Sequence, residues 1–466
     1  MHIYFFKFFG LLLFLLSLMS HNSFGQDINQ ALSLAYSSHP LLFAERAASR
    51  AASENVTEAL SGWRPEVYLD GSLGKKLVTT KTASASENTD NNTPLSVGMS
   101  ISQKIYDSGQ REQSLKIAES EVLLSQATLM KVENDILLNA AEAYLSLVEE
   151  RELLGIALKN VQVVERQLQA TKDRFEVGDL TITDVAQAEA RLSDAKANQI
   201  SRESNLETAK AIFFSVIGED SIEIFFPKSF PSIPVNTDEL IQKARKLNPD
   251  VVLSNHAEKV AKLKLSLAMK ELGPTVDLKA SVNQSWDPNT FFEEQRYFDL
   301  SANLSWPLYR GGKEWSKIRR LREKLSQAKA EKDNAVRIAN KNSLQLWNSV
   351  HSAKAQIDAY QSSIHANKVA LDGVIEEEYV GERTVIDVLD AENELFQAQA
   401  NLIRARSNLH IYVYRLVSSV GELNARSLQL PVASYYDPEE YYNKVRNSWG
   451  GLEGEDNSLL DALSNK

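Results

Sequence analysis

The chain has 466 residues, 43% hydrophobic and 24% charged, with a formal net charge of −11 and no cysteine. This is the composition of a folded protein, and an acidic balance without a basic stripe argues against nucleic acid as a partner. The lack of cysteine excludes disulfides, thiol catalysis, thiolate metal sites and lipidation through an N-terminal Cys. Residues 1–25 read as a signal peptide: Lys7 is the positive residue, "FFGLLLFLLSLM" (8–19) the apolar core, and Ser23-Phe24-Gly25 a small-residue cleavage site. That run is short for a membrane span, and no other stretch is apolar enough for a membrane helix. Any membrane entry must therefore be made by strands.

Leading helices are expected over Ile28–Gly62 and Asp238–Leu272, with Pro40 and Pro249 at matching places. No proline falls between Pro94 and Pro227 or between Pro307 and Pro431, and both stretches are rich in helix formers. They predict helices over 110–176 and 183–216 around a turn at Val177–Leu180. The second stretch predicts helices over 313–378 and 385–420 around a turn at Val380–Arg383. At ~1.5 Å per residue the first long helix would run about 100 Å, which suits a wall of paired helices better than a globule. Val388, Leu395, Leu402, Leu409 and Leu416 recur every seventh residue and alternate with Ala391, Ala398 and Ala405, the pattern of a coiled-coil seam.

Between leading and long helices the period changes to two. "LSVGMSISQKIY" (95–106) and "FDLSANLSWPL" (298–308) alternate apolar with small or polar residues, and "PEVYLDGSLG" (65–74) and "TVDLKASVN" (275–283) are weaker partners. These predict hairpins over 65–106 and 275–309, with polar loops near 79–93 and 287–296. Each strand is near the ~9–11 residues that a tilted strand needs to cross a bilayer. Tyr68, Tyr106, Trp286, Tyr297, Trp306 and Tyr309 lie near strand ends, where an interfacial girdle belongs. Four strands cannot close a barrel, so several chains would have to contribute.

The whole order occurs twice. "VGDLTITDVAQAEA" (177–190) returns as "VGERTVIDVLDAEN" (380–393), pairing Gly178 with Gly381, Asp184 with Asp387 and Glu189 with Glu392. Roughly 18 of about 43 positions are identical at one constant offset, which marks an internal repeat.

This arrangement, with "LSWPLYRGG" (304–312), "RFEVGDLTITDV" (174–185) and "YVGERTVIDVLDAE" (379–392), resembles the TolC family of outer-membrane channel-tunnel proteins over nearly all of the mature chain. "YYDPEEYYNKVRNSW" (435–449) resembles the type I secretion subgroup. The resemblance implies an α+β membrane protein: a long antiparallel α-helical coiled-coil tunnel plus four transmembrane β-strands per chain, forming a twelve-stranded barrel in a homotrimer. It divides the chain into a signal peptide (1–25), a first repeat (26–220), an equatorial linker (221–236), a second repeat (237–422), an equatorial C-terminal segment (423–449) and a flexible tail (450–466). It implies contact with outer-membrane lipid, a periplasmic adaptor, and through it an inner-membrane ABC or proton-driven transporter, for type I protein secretion, small-molecule efflux or both.

By motif match, Val177, Gly178, Leu180, Val380, Gly381 and Thr384 would meet the adaptor at the tip turns. Thr183, Asp184 and Arg383 would form a polar latch between neighbouring hairpins, and Asp387 and Asp390 would line the constriction. The family's latch aromatic is replaced here by Glu378, with Tyr379 one residue later. No cofactor is implied. The seven histidines are scattered, and HExxH, GxSxG and phosphate-binding glycine loops are missing, so no enzyme is expected. The other reading is a soluble periplasmic coiled-coil adaptor or scaffold, which accounts for the helices but not for the alternating strands.

Overall fold

The computed structural model describes residues 27–81, 83, 88–220 and 224–450. The expected signal peptide and residues 451–466 of the expected tail lie outside the described residues. In chain order the elements are α1 (Ile28–Ser38), α2 (Pro40–Ser61), β1 (Glu66–Leu73), β2 (Lys76–Thr80), β3 (Asn88–Asn92), β4 (Leu95–Tyr106), α3 (Gln110–Glu176) and α4 (Ile182–Ile217). They continue with α5 (Thr237–Leu247), α6 (Pro249–Lys270), β5 (Thr275–Asn289), β6 (Phe292–Ser305), α7 (Lys313–Tyr379), α8 (Val385–Ser419) and α9 (Pro438–Val445).

Each leading helical stretch is two helices, not one. His39 and Asn248 are extended, with ψ 121° and 128°, because a following proline ring clashes with a helical predecessor. Pro40 and Pro249 then open α2 and α6 at the first helical position, where no amide donor is needed.

The chain forms two compact units. One comprises Phe43–Lys131, Pro249–Ala339 and Tyr436–Lys466, and it carries β1 to β6, the strands among the described residues. Its main sheet is antiparallel in the order β1-β4-β5-β6, with Glu66 opposite Ser102, Leu95 opposite Trp286 and Thr275 opposite Ser305. Of the described residues in the polar loops expected near 79–93 and 287–296, most are strand. β2 and β3 pair as a separate two-stranded ladder, across which the Thr79 and Thr89 hydroxyls hydrogen-bond at 3.1 Å. β5 and β6 continue to Asn289 and Phe292. Backbone pairing extends these arms where no alternation of hydrophobicity announces it.

Exposure along the sheet's most regular strand is the reverse of a soluble one. On β4, Leu95, Val97, Met99 and Ile101 are 40–43% exposed, while Ser96, Gly98 and Ser100 between them are half-buried. Leu69 on β1 and Phe298 on β6 are barer still, at 77% and 72%. Below the strands, Val56, Ala118 and Val122 form one small core, and Leu265, Ala268 and Ile318 another. α9 lies along α2: Thr57 Oγ1 donates to the Val445 carbonyl at 2.9 Å, and Tyr441 OH to Glu54 at 2.8 Å.

The other unit comprises Met1–Leu42, Val132–Asn248 and Asn340–Tyr435, and among its described residues it is helices and connecting segments. The seam of α8 is broader than a heptad. Of the expected seam, Val388, Ala398, Ala405, Leu409 and Leu416 are buried while Ala391, Leu395 and Leu402 are only half-buried, and Leu389, Phe396, Ala400 and Val413 outside it are buried too. A narrow stripe serves one partner, whereas this wider face serves several. Leu409 and Val413 pack with Val350 and Leu240, while Val385 and Leu389 join Val164 and Val185. The segment between α4 and α5 is pinned by aromatic contacts. Tyr144 OH donates to the Phe225 carbonyl at 2.9 Å, and His410 stacks on Phe230 and Phe226 with ring centroids 4.5 and 5.8 Å away. Burial pushes the His410 pKa down to about 4, so the stacked ring stays neutral. No helix among the described residues is long and apolar enough to cross a membrane.

Candidate functional site at the two helical turns

All eleven residues singled out from the sequence lie in the helical unit, at the turns between α3 and α4 and between α7 and α8. The two turns share one backbone construction. Gly178 and Gly381 have φ of +83° and +81°, in the left-handed region that glycine enters without a Cβ penalty. The Gly178 amide donates to the Phe175 carbonyl and the Asp179 amide to that of Arg174; in the second turn Gly381 bonds to Glu378 and Glu382 to Glu377. This is the Schellman closure, which satisfies the last carbonyls of a helix.

Two residues later each following helix is capped in the same way. The Thr181 amide and hydroxyl donate to Asp184 Oδ2 at 2.8 and 2.7 Å, and the Thr384 amide and hydroxyl donate to Asp387 Oδ2 at the same distances. These are capping boxes with aspartate in the third helical position. The threonine hydrogen bonds hold both carboxyls below the usual aspartate range. Asp184, Asp387 and Thr384 thus fix the turns, whatever else they contact.

The side chains around this shared backbone diverge. Val177 and Val380 are 80% and 67% exposed, whereas Leu180 packs inward against the cluster of Val164, Val185 and Leu389. Thr183 is exposed on the first turn of α4. Arg383 pairs at 2.9 Å with Glu377 of its own hairpin.

Sequence reasoning missed the links between the two hairpins of one chain. Arg174 on α3 bonds to Asp179 at 2.8 Å and also to Glu378 on α7, the residue standing in the latch aromatic's place. Arg191 on α4 pairs with Asp390 on α8. The cue for the first link was Glu378 itself, a charge where an aromatic was expected.

Glu392 was also missed as a special position. It lines a cavity of about 380 Å³ with Arg191, Arg202, Arg404, Asn160 and Phe396. Its Oε2 is buried without a hydrogen-bond partner, and burial raises its pKa to about 7 despite Arg166 acting the other way. The nearby arginines are engaged elsewhere: Arg191 with Asp390, Arg202 with Glu150, and Arg404 with Asn401. Among the described residues no group of His, Asp and Glu is arranged to hold a metal ion. The site can hold two helical hairpins together through a few polar links and present apolar turn residues to a partner.

Comparison with known proteins agrees with this geometry. The family model described as outer membrane efflux protein matches residues 31–219 and again 240–422. The chain is 30% identical over 428 residues to the outer membrane efflux protein BepC of Brucella suis, covering 92% of each chain. It is 26% identical over 429 residues to the outer membrane protein TolC of Vibrio cholerae, covering 89% of this chain and 94% of that one. The crystal structure of the Campylobacter jejuni CmeC outer membrane channel superposes with a TM-score of 0.76 at 15% identity, over 90% of this chain and 89% of that one, and so shows the fold. These proteins are channels rather than enzymes, and their place is the outer membrane. By the match of its family model and by this relatedness, the chain belongs to the outer membrane efflux protein family, of which TolC is a member.

Proposed function

We propose that three copies of this chain join their sheets edge to edge into a twelve-stranded barrel, and their helical hairpins into a tunnel that reaches into the periplasm. The open sheet carries this reading. β1 and β6 have unpaired outer edges, and β1, β4 and β6 all turn bare apolar side chains outward. Lipid does not tolerate open backbone edges, so the sheet must close with copies of itself. Two copies would give a barrel filled by side chains; three give twelve strands and room for a lumen. The duct takes cargo from an inner-membrane ABC or proton-driven transporter through a periplasmic adaptor seated on the tip turns, for type I protein secretion, small-molecule efflux or both.

In this reading the adaptor meets Val177, Gly178, Leu180, Val380, Gly381 and Thr384. The exposure of Val177 and Val380 supports that role, and the inward packing of Leu180 limits its own part to shaping the turn. Thr183, Asp184 and Arg383 act at the latch between neighbouring hairpins. Asp387 and Asp390 form acidic rings that favour cations. The test is the mass of the protein solubilised from outer membranes, recorded with its planar-bilayer conductance. A trimer with small, cation-preferring conductance that rises in Arg383→Ser supports the duct. A detergent-free monomer without conductance returns the chain to the adaptor or scaffold reading.

A further inference from the structure

The helix that follows each hairpin starts very differently in the two repeats. Residues 310–324 hold seven basic and two acidic residues, net +5, in a chain whose total is −11. The matching window of the first repeat, 107–121, holds two basic and four acidic residues, net −2. There every charge is used: Asp107 with Arg111, Glu112 with Lys116, Glu119 with Arg446, and Glu121 with Lys264. In the second window only Arg310 and Lys317 have carboxylate partners, Glu314 and Glu271. Lys313, Arg319, Arg320, Arg322 and Lys324 are exposed and make no ion pair among the described residues. The overall acidic balance conceals this run, which corrects the expectation of a chain without a basic stripe.

Its placement is specific. The run begins five residues after β6 ends, and Trp306, Leu308, Tyr309 and Trp315 around its start are 59%, 82%, 79% and 56% exposed. The packed stripe of α7 here is Ile318 with Leu321 and Leu325. Helical periodicity puts Lys313, Lys317, Arg320 and Lys324 on one flank of that stripe and Arg319 and Arg322 on the other. Whichever flank faces outward is therefore basic. Aromatic residues at a strand end followed by uncompensated cations match the chemistry of a bilayer surface, where ring systems sit at headgroup level and cations meet phosphate.

We infer that the start of α7 is a docking surface for the anionic phospholipid headgroups of the leaflet at the α7 end of the strands. The inference rests on the proposal that the strands span a membrane. Arg310 and Lys313 reach headgroups directly. Arg319, Arg320 and Arg322 lie about two turns beyond Lys313, roughly 9–14 Å along the helix, and their long side chains extend back toward a surface whose field falls off over about 8 Å at physiological salt. The first repeat, with its charges paired internally, has no such preference.

The experiment reconstitutes the full chain into bilayers of phosphatidylethanolamine with one part in about five of phosphatidylglycerol, then extracts it and counts retained lipids by native mass spectrometry. Wild type is expected to retain phosphatidylglycerol several-fold above its bulk share, with the excess falling at 0.5 M salt, where the Debye length shrinks to about 4 Å. The R310Q/K313Q/R319Q/R320Q variant, which removes the cations nearest the strand end, should lose most of that excess. A control with equal charge change in the helical unit, K159Q/K341Q/K354Q/K368Q, should keep the excess. Conductance is recorded on the same preparations. Conducting wild-type channels with no lipid excess would overturn the inference while leaving the membrane reading intact, whereas failure to insert into any bilayer would overturn both. A basic-run variant that keeps its lipid excess but loses its oligomeric mass would assign these cations to a contact between copies and sink the lipid role.

Discussion

The two tip hairpins follow one plan for the backbone and two for the side chains. Gly178 and Gly381, Thr181 and Thr384, and Asp184 and Asp387 occupy equivalent positions and make equivalent bonds. Around them the equivalents differ. Leu180 packs into a core where Arg383 reaches out to Glu377. Phe175 stands where the second copy has Glu378, which receives Arg174. Glu189 pairs with Lys172 at 2.8 Å on the surface, while the half-buried Glu392 lines a cavity with its Oε2 buried and without a partner. Positions that close a helix stay alike because the backbone requires them, and positions that face a neighbour diverge because the neighbours differ.

The largest test of this contrast is pH. The folded pKa of Glu392, about 7, lies above its ordinary 4.5, so the folded chain holds this proton more tightly than the unfolded chain. Stability from this group is present at low pH and is lost as pH rises from 4.5 through 7. Glu392→Gln should flatten that fall and stabilise the protein at pH 8 by about 1–2 kcal/mol, a figure discounted for partial solvation. Glu189→Gln removes only an exposed ion pair with Lys172 and should change stability by less than about 1 kcal/mol. Melting temperatures at pH 5 and pH 8 decide it, and equal behaviour of the two variants would erase the distinction.

Gly381→Ala and Gly178→Ala probe the shared plan. Nothing lies within 4 Å of a Cβ at either position, so the cost is the left-handed backbone alone, about 1–2 kcal/mol. It should be the same in both turns when read by hydrogen exchange of the turn amides. Removing the caps with Thr181→Ala or Thr384→Ala should cost about 1 kcal/mol each, again alike, with loss of amide protection confined to the first turn of α4 or α8. A clear inequality between the copies would mean that tertiary contacts, not capping, hold one of them.

The smallest effect on stability belongs to the surface pairs. Arg191→Ser, which frees Asp390, should change stability by less than about 1 kcal/mol because both partners are exposed. If Asp390 lines the constriction, cation preference in planar bilayers should nevertheless rise. Unchanged selectivity would remove Asp390 from the ion path.

Much of this was legible in sequence where local chemistry decides the outcome. Alternation in 95–106 marks β4, because a strand with one apolar face needs period two. The Val-Gly turns mark the ends of α3 and α7, because a left-handed residue there favours glycine. The ladder of β2 and β3 was missed, since its Thr and Asn residues form backbone pairs without any apolar face to betray them. The capping role of Asp387 was hidden behind its reading as a pore acid, although the threonine three residues earlier is the standard cue. The state of Glu392 could not be read from its own neighbours in sequence. It depends on α3 and α4 closing over a residue whose counterpart, Glu189, is an ordinary surface carboxylate.

The turn construction also bears on the order in which the chain acquires structure. Every bond of each turn, from Arg174 to Asp184 and from Glu377 to Asp387, closes within eleven residues. Pairing β4 with β5, by contrast, brings Leu95 to Trp286. Short loops close at far smaller entropic cost than long ones, and rates follow that cost. The tips are therefore expected to nucleate first, with φ-values near one for Thr181 and Thr384 and near zero for Met99 and Val282. A nascent chain would then have its helical hairpins seeded before its apolar strands meet, and the interval in which those strands lie bare would be spent beside partly formed helices.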